Sequence, residues 1–193
     1  MDPVGICNLA LGWLGSGRLS QLDADSPLST IEELCAEQYP AALRAVLASR
    51  AWAFATTRLL LGPASSTGLA DFPSAYPIPT TVLRVLACDD GSGVNEIDWR
   101  REGRNVLTAT SPSQVYAKVV QLLEDAAQFP PSFCRVLAAR LAADLAIPVS
   151  ENRQLAADME QRYHLELREA ARLDGEQGTG EPRRTSGIAA ARW

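Results

Sequence analysis

Between Arg50 and Arg58 the periodicity of this chain changes. In the tract Arg50-Ala51-Trp52-Ala53-Phe54-Ala55-Thr56-Thr57-Arg58, the residues Trp52, Phe54, Thr56 and Arg58 alternate with small or polar neighbours. That period of two belongs to an extended strand, although a helix prolonged through Phe54 also fits the residues. Some twenty residues later a second tract, Ala75-Tyr76-Pro77-Ile78-Pro79-Thr80-Thr81-Val82-Leu83-Arg84-Val85, is again extended in character. A helical pattern thus breaks into a β pattern in mid-chain, and the fold has to accommodate both.

Upstream of the break the pattern is helical. Val4, Ile6, Leu9, Leu11 and Leu14 follow Asp2 as a cap and Pro3 in the first turn, predicting a short helix that stops at Gly15-Ser16-Gly17. An acidic, polar loop from Ser20 to Ser26 leads to Pro27 and a second helix, in which Ile31, Leu34, Cys35, Tyr39, Leu43, Val46 and Leu47 recur at steps of mostly three and four. Pro40 is expected to kink or restart that helix near Tyr39.

Downstream, the Gly, Ser, Pro and Asp content of Gly62 to Ser74 predicts a loop, and Thr81 to Cys88 reads as a strand. Three short runs follow, Asn95 to Arg101, Asn105 to Ala109 and Gln114 to Val120, with Glu102-Gly103-Arg104-Asn105 as a hairpin connection. Together they predict a small antiparallel meander or barrel. Helical signal returns after Pro130 in the stripe Phe133, Val136, Leu137, Leu141 and Leu145, which Pro148 should end. Ser150 with Glu151 should open a last helix carrying Leu155, Met159, Tyr163, Leu167 and Ala170 on one face.

The resulting expectation is a mainly α protein: a four-helix bundle core with an inserted β meander or barrel and an extended C-terminal tail. Its parts are residues 1–51 and 126–174 for the helices, 52–125 for the insertion and 175–193 for the tail. Trp52, Phe54 and Tyr76 are the expected anchors between bundle and insertion. No internal repeat is evident.

The residue content argues against several chemistries. The 193-residue chain is 47% apolar, ordinary for a globular protein, and no run approaches the roughly 18 apolar residues of a membrane span. The N-terminus lacks the basic start of a signal peptide, so synthesis in the cytoplasm is expected. Cys7, Cys35, Cys88 and Cys134 are far apart in apolar or mixed runs and read as buried thiols, and His164 has no second histidine with which to share a metal. No Gly-x-Ser-x-Gly elbow, phosphate loop or zinc motif occurs, so no catalytic residue, metal or cofactor is expected. A net charge of −5 argues against a module that reads nucleic-acid sequence.

Two features remain. Arg100, Arg101 and Arg104 surround the expected hairpin tip beside Trp99, but Glu96, Asp98 and Glu102 largely cancel their charge, which favours a solvated hairpin or a subunit contact over a nucleic-acid patch. The C-terminal segment, reached through the Gly- and Pro-containing stretch Gly175 to Pro182, carries Arg183, Arg184, Ile188, Arg192 and Trp193. Trp and Arg are the residue types most enriched at binding hot spots, so this segment is a candidate docking arm, either for a different protein or folding back on its own chain.

The order and spacing of several motifs carry a family resemblance over nearly the whole chain. They are Asn8-Leu9-Ala10-Leu11-Gly12-Trp13-Leu14-Gly15, Leu19-Ser20-Gln21-Leu22-Asp23-Ala24-Asp25-Ser26, Tyr39, Trp52-Ala53-Phe54-Ala55, Tyr76-Pro77-Ile78-Pro79 with Leu83-Arg84-Val85, Trp99, Glu102-Gly103-Arg104, Val106-Leu107-Thr108, and Phe129 to Ala146. In these the chain resembles the tail tubular protein A family, the head-to-tail adaptors of tailed bacteriophages. It departs from that pattern at Ala53, where Asn is usual, and at Thr80-Thr81, where Asp commonly follows the Pro. The resemblance implies a virion protein at the head–tail neck: a ring of twelve copies bound to the portal protein, joined to a tail tube, nozzle or other tail component, with DNA passing through its lumen. It further implies that the C-terminal segment reaches the portal. Twelve copies at −5 each carry about −60, a lumen along which DNA slides rather than sticks. The alternatives are a small DNA-binding regulator using the N-terminal helix pair as a helix-turn-helix, and a tail-associated hydrolase built on distant Asp and Glu residues.

Overall fold

A computed structural model of the chain describes residues 1–23, 25, 27, 29–91 and 97–176. Helix α1 (Pro3–Trp13) begins as its sequence dictates: the Asp2 carboxylate accepts the Gly5 N–H at 2.9 Å and Pro3 fills the first turn. Ser29 caps α2 (Thr30–Ser49) in the same way, accepting the Glu32 N–H at 3.2 Å. Contrary to expectation, α2 runs through Pro40 without restarting. Burial of Tyr39, Ala42, Leu43, Val46 and Leu47 along one face holds the helix across the one missing N–H.

The alternating tract resolves into a 3₁₀ turn, Ala53–Ala55, followed by β1 (Thr56–Leu60). Then come β2 (Ser65–Ser66), β3 (Ser74–Pro77), β4 (Val82–Asp89), β5 (Trp99–Glu102), β6 (Asn105–Thr108) and β7 (Tyr116–Gln121). A second 3₁₀ turn, Ala126–Gln128, leads into α3 (Pro131–Ser150) and α4 (Arg153–Gly175). Pro148 does not end α3; the helix closes two residues later, where Glu151 adopts φ 53° and donates its N–H to the Ile147 carbonyl at 2.9 Å. The cap of α4 is Asn152 rather than Ser150, its Oδ1 accepting the N–H groups of Gln154 and Leu155.

The strands form two antiparallel sheets, one ordered β1-β7-β4 and the other β2-β3-β6-β5. Among the described residues only β5 and β6, joined at Gly103 (φ 56°), and the short β2–β3 pair are sequential neighbours, so these strands do not form the expected meander. Two buried clusters organise the molecule. The larger joins the helices to Trp52, Ala55 and Val120. The smaller lies between the sheets and contains Tyr76, Ile78, Val82, Cys88, Val106, Ala117 and Val119.

Strand β7 belongs to both clusters, Ala117 and Val119 facing one and Val120 the other. Strand β4 does the same with the help of two register shifts, between Val82 and Arg84 and between Val85 and Ala87. Each shift leaves one leucine out of the ladder, Leu83 and Leu86, and both pack on the helical cluster, while Val82, Val85 and Cys88 face the second sheet.

The four-helix bundle with an inserted β unit is therefore overturned. Among the described residues the chain is a mixed α and β protein, 48% helical with the 3₁₀ turns included and 20% strand, with four α-helices and two antiparallel sheets. Two physical reasons account for the difference. Helices α1, α2 and α4 pack chiefly on α3, whose Ala138, Ala139, Ala142 and Ala146 are all buried and small enough to admit neighbours on several sides. The remaining flank of α2 is covered by β4 and β7 rather than by another helix. The three-stranded sheet is thus a middle layer between helices and second sheet.

Candidate interaction surfaces

The junction between helical layer and sheets is aromatic. Trp52, 1% exposed, lies with its ring centroid 5.2 Å from that of Phe133; Phe54 lies 4.9 Å from Phe133 and 6.1 Å from Phe129. The indole N–H of Trp52 donates to the Val46 carbonyl at 2.9 Å, which satisfies its one polar atom inside the cluster. Tyr76 lies elsewhere, in the cluster between the sheets, where its hydroxyl donates to the Pro112 carbonyl at 2.6 Å and burial pushes its phenol up. The structure thus brings Trp52 and Phe54 together at the helix–sheet junction and places Tyr76 in the opposite cluster.

A carboxylate from the far end of the chain closes this junction. Asp174, in the last turn of α4, accepts the Ala53 N–H with both oxygens, at 3.0 and 3.2 Å, and lies 3.7 Å from the Arg50 guanidinium. Arg50 in turn sits over the Trp52 ring, 5.1 Å from its centroid. Asp174 is only 9% exposed, so the charge is held by a backbone donor and a cation together. The root of the C-terminal segment and the entrance to β1 are one place. Arg183, Arg184, Ile188, Arg192 and Trp193 themselves lie outside the described residues.

The motifs near the N-terminus have structural roles. The side-chain amide of Asn8 brackets the Leu19 backbone, accepting its N–H at 2.7 Å and donating to its carbonyl at 3.0 Å, which pins the loop after α1. Trp13 is covered by the Arg162 guanidinium at 3.8 Å from its ring centroid, with Arg135 at 6.0 Å. Arg135 forms a bidentate pair with Glu166, at 3.0 and 2.6 Å, so this group links α1, α3 and α4. That pairing holds the Arg135 guanidinium above its ordinary value.

The arginines of the β5–β6 hairpin are largely occupied within the protein. Arg100 stacks over Phe72 at 4.5 Å and pairs with Glu102 at 2.7 Å. Arg101 crosses to the other sheet, donating to the Leu83 carbonyl at 2.9 Å. Arg101 thereby fastens sheet to sheet, while the contacts of Arg100 stay on its own side.

A groove of about 440 Å³ opens between the start of α1 and the second 3₁₀ turn, lined by Met1, Asp2, Pro3, Glu124, Asp125, Ala126 and Ala127. Asp125 caps the turn, accepting the Ala127 N–H at 3.0 Å and a bond from the Gln128 amide at 3.2 Å, and these bonds hold its carboxyl below the usual range. Sequence reasoning passed over this groove and Asp174 alike, because each is assembled from segments more than a hundred residues apart.

Among the described residues no group of three or more His, Cys, Asp and Glu is placed to hold a metal ion. All four cysteines are buried free thiols, and burial pushes Cys88 up to about 12. His164 is exposed on α4, 3.4 Å from Glu160. No protein-family model matches the chain, and no curated protein does. A functional reading therefore rests on the residues and contacts above.

Proposed function

We propose that this chain is a structural virion protein: a head-to-tail connector that binds the portal protein, joins it to a tail component and surrounds the path of DNA during ejection. The observation that carries this reading is the Asp174 clasp. It fixes the root of a segment bearing Arg183, Arg184, Ile188, Arg192 and Trp193 to the aromatic junction of the folded body. A terminal arm rich in hot-spot residues, mounted on a rigid base, is suited to capturing a partner at low cost in ordering the base.

Further support comes from the residues that carry the family resemblance. Asn8, Leu19, Trp13, Trp52 and Phe54 hold loop, helices and junction together, as shared residues of a common scaffold would. In this reading the copies close into a ring through heterologous contacts, one face of each subunit against the other face of the next, with twelve as the number the resemblance implies.

The reading is tested by mixing the purified full-length chain with its portal and imaging the product by electron microscopy. A closed ring of twelve copies on the portal is the expected outcome. A chain that stays monomeric and never associates with the portal would overturn it.

A further inference from the structure

We propose that the groove between the start of α1 and the 3₁₀ turn Ala126–Gln128 is the docking site for this chain's own residues 183–193, with Trp193 over the apolar floor and Arg192 against the acidic rim. The contact does not depend on the connector reading.

Three observations carry it. The first is chemical complementarity. The groove's floor is apolar, with Ala126 buried and Pro3 half-buried, Met1 and Ala127 stand exposed beside it, and its rim holds Asp2, Glu124 and Asp125. Residues 183–193 contain Arg183, Arg184 and Arg192 with no acidic residue, together with Ile188 and Trp193. An aromatic anchor preceded by an arginine is the complement of an apolar slot edged by carboxylates.

The second is size. A volume of about 440 Å³ falls within the roughly 300–1,000 Å³ of clefts that enclose small ligands. A single aromatic side chain, the kind of group that buries about 150–250 Å² when covered, is small enough to enter such a cleft. Met1, 61% exposed, lines the groove and offers apolar surface for an indole to cover.

The third is reach. Asp174 is bonded to Ala53; the next residue, Phe54, contacts Phe129, which directly follows the turn lining the groove. Followed contact by contact, the end of α4 and the groove lie on the order of 30 Å apart at most, whereas residues 177–188 in extended form span up to about 40 Å. A tether of that length gives an effective concentration on the order of millimolar for its own groove, so a weak contact suffices. Docking on the same chain would shield the arm until a partner competes for it.

The test uses the full-length chain and nuclear magnetic resonance. The expected result is that Trp193→Ala and Arg192→Glu each move the backbone amides of Ala126 and Ala127, and that the shifts do not change on tenfold dilution. Glu124, exposed on the rim, supplies the reciprocal arm: Glu124→Arg should move the Trp193 indole resonance, and the double variant Glu124→Arg with Arg192→Glu should return it towards its original position. Ala126 and Ala127 amides indifferent to both tail variants would overturn the proposal. Shifts that depend on protein concentration would also overturn it, because the occupant would then be a second copy. Neither readout involves the portal, so failure to form a ring leaves this test unaffected.

Discussion

Asp174 concentrates several demands on one side chain. Replacing it with alanine leaves the Ala53 N–H and the Arg50 guanidinium without their acceptor in a nearly closed site, so Asp174→Ala should destabilise the protein by about 2–3 kcal/mol in urea unfolding. Asp174→Asn keeps one acceptor oxygen and should cost clearly less; equal costs would show that the backbone contact contributes nothing. Cys88 makes a prediction of another kind. Its thiol has an ordinary value of 9.0 and is pushed to about 12 in the fold, so the unfolded chain releases that proton first as pH rises. Stability from this group is complete below about pH 9 and falls by about 1.4 kcal/mol per pH unit up to about pH 12. Cys88→Ala should flatten that part of the profile in denaturant titrations, and an unchanged slope would count against it. Neither role was readable from sequence. An aspartate 121 positions from its partner gives no local signal, and the run around Cys88 announces a buried thiol without saying which layer covers it.

Helix starts were the most legible elements, because caps are local chemistry: Asp2-Pro3 opens α1 where its sequence says. Helix interiors and ends were less so. Pro40 is a local breaker overridden by burial of the turns around it, Pro148 falls inside the exposed last turn of α3, and one start was also misread, Asn152 rather than Ser150 capping α4 because its amide oxygen reaches two N–H groups. Strand β2 escaped notice inside a stretch that reads as loop, and although the tract holding most of β3 reads as extended, its pairing with β6, thirty residues on, leaves no local signal. The hairpin between β5 and β6 was legible because Gly103 marks its turn. Substitutions at two glycines with positive φ should therefore differ in effect. Gly103→Ala meets no atom within 4 Å and should cost about 1 kcal/mol for its left-handed backbone alone. At Gly91 (φ 81°) an added Cβ would lie 2.6 Å from the Tyr116 ring, so Gly91→Ala should cost more than Gly103→Ala in thermal unfolding. The reverse order would mean that the Tyr116 ring moves aside freely.

The mixed architecture depends on strands that serve two clusters at once. With Val119 facing one core and Val120 the other, neither the helical layer nor the second sheet has a boundary along which to separate. Helix ellipticity and the fluorescence of Trp99, which packs between the sheets, should therefore lose signal together in urea. Two separated midpoints would instead reveal independent units. The tail is expected to behave differently: ending the chain after Glu176 keeps the Asp174 clasp, so the truncated protein should hold its melting temperature while portal binding falls sharply, and unchanged portal binding would refute the role given to residues 177–193. The overall layering was hidden in the sequence because its decisive pairings, β1 with β7 and β7 with β4, join segments separated by whole elements. The clasp at the end of α4 also has a mechanical meaning. Any pull applied to the chain beyond Glu176 arrives first at Asp174, and α4 can peel from α3 turn by turn only after that link gives way. Its bonds to Ala53 and its pairing with Arg50 thus act as the latch on a zipper, and they divert tension into the aromatic junction, where helices and sheet share the load.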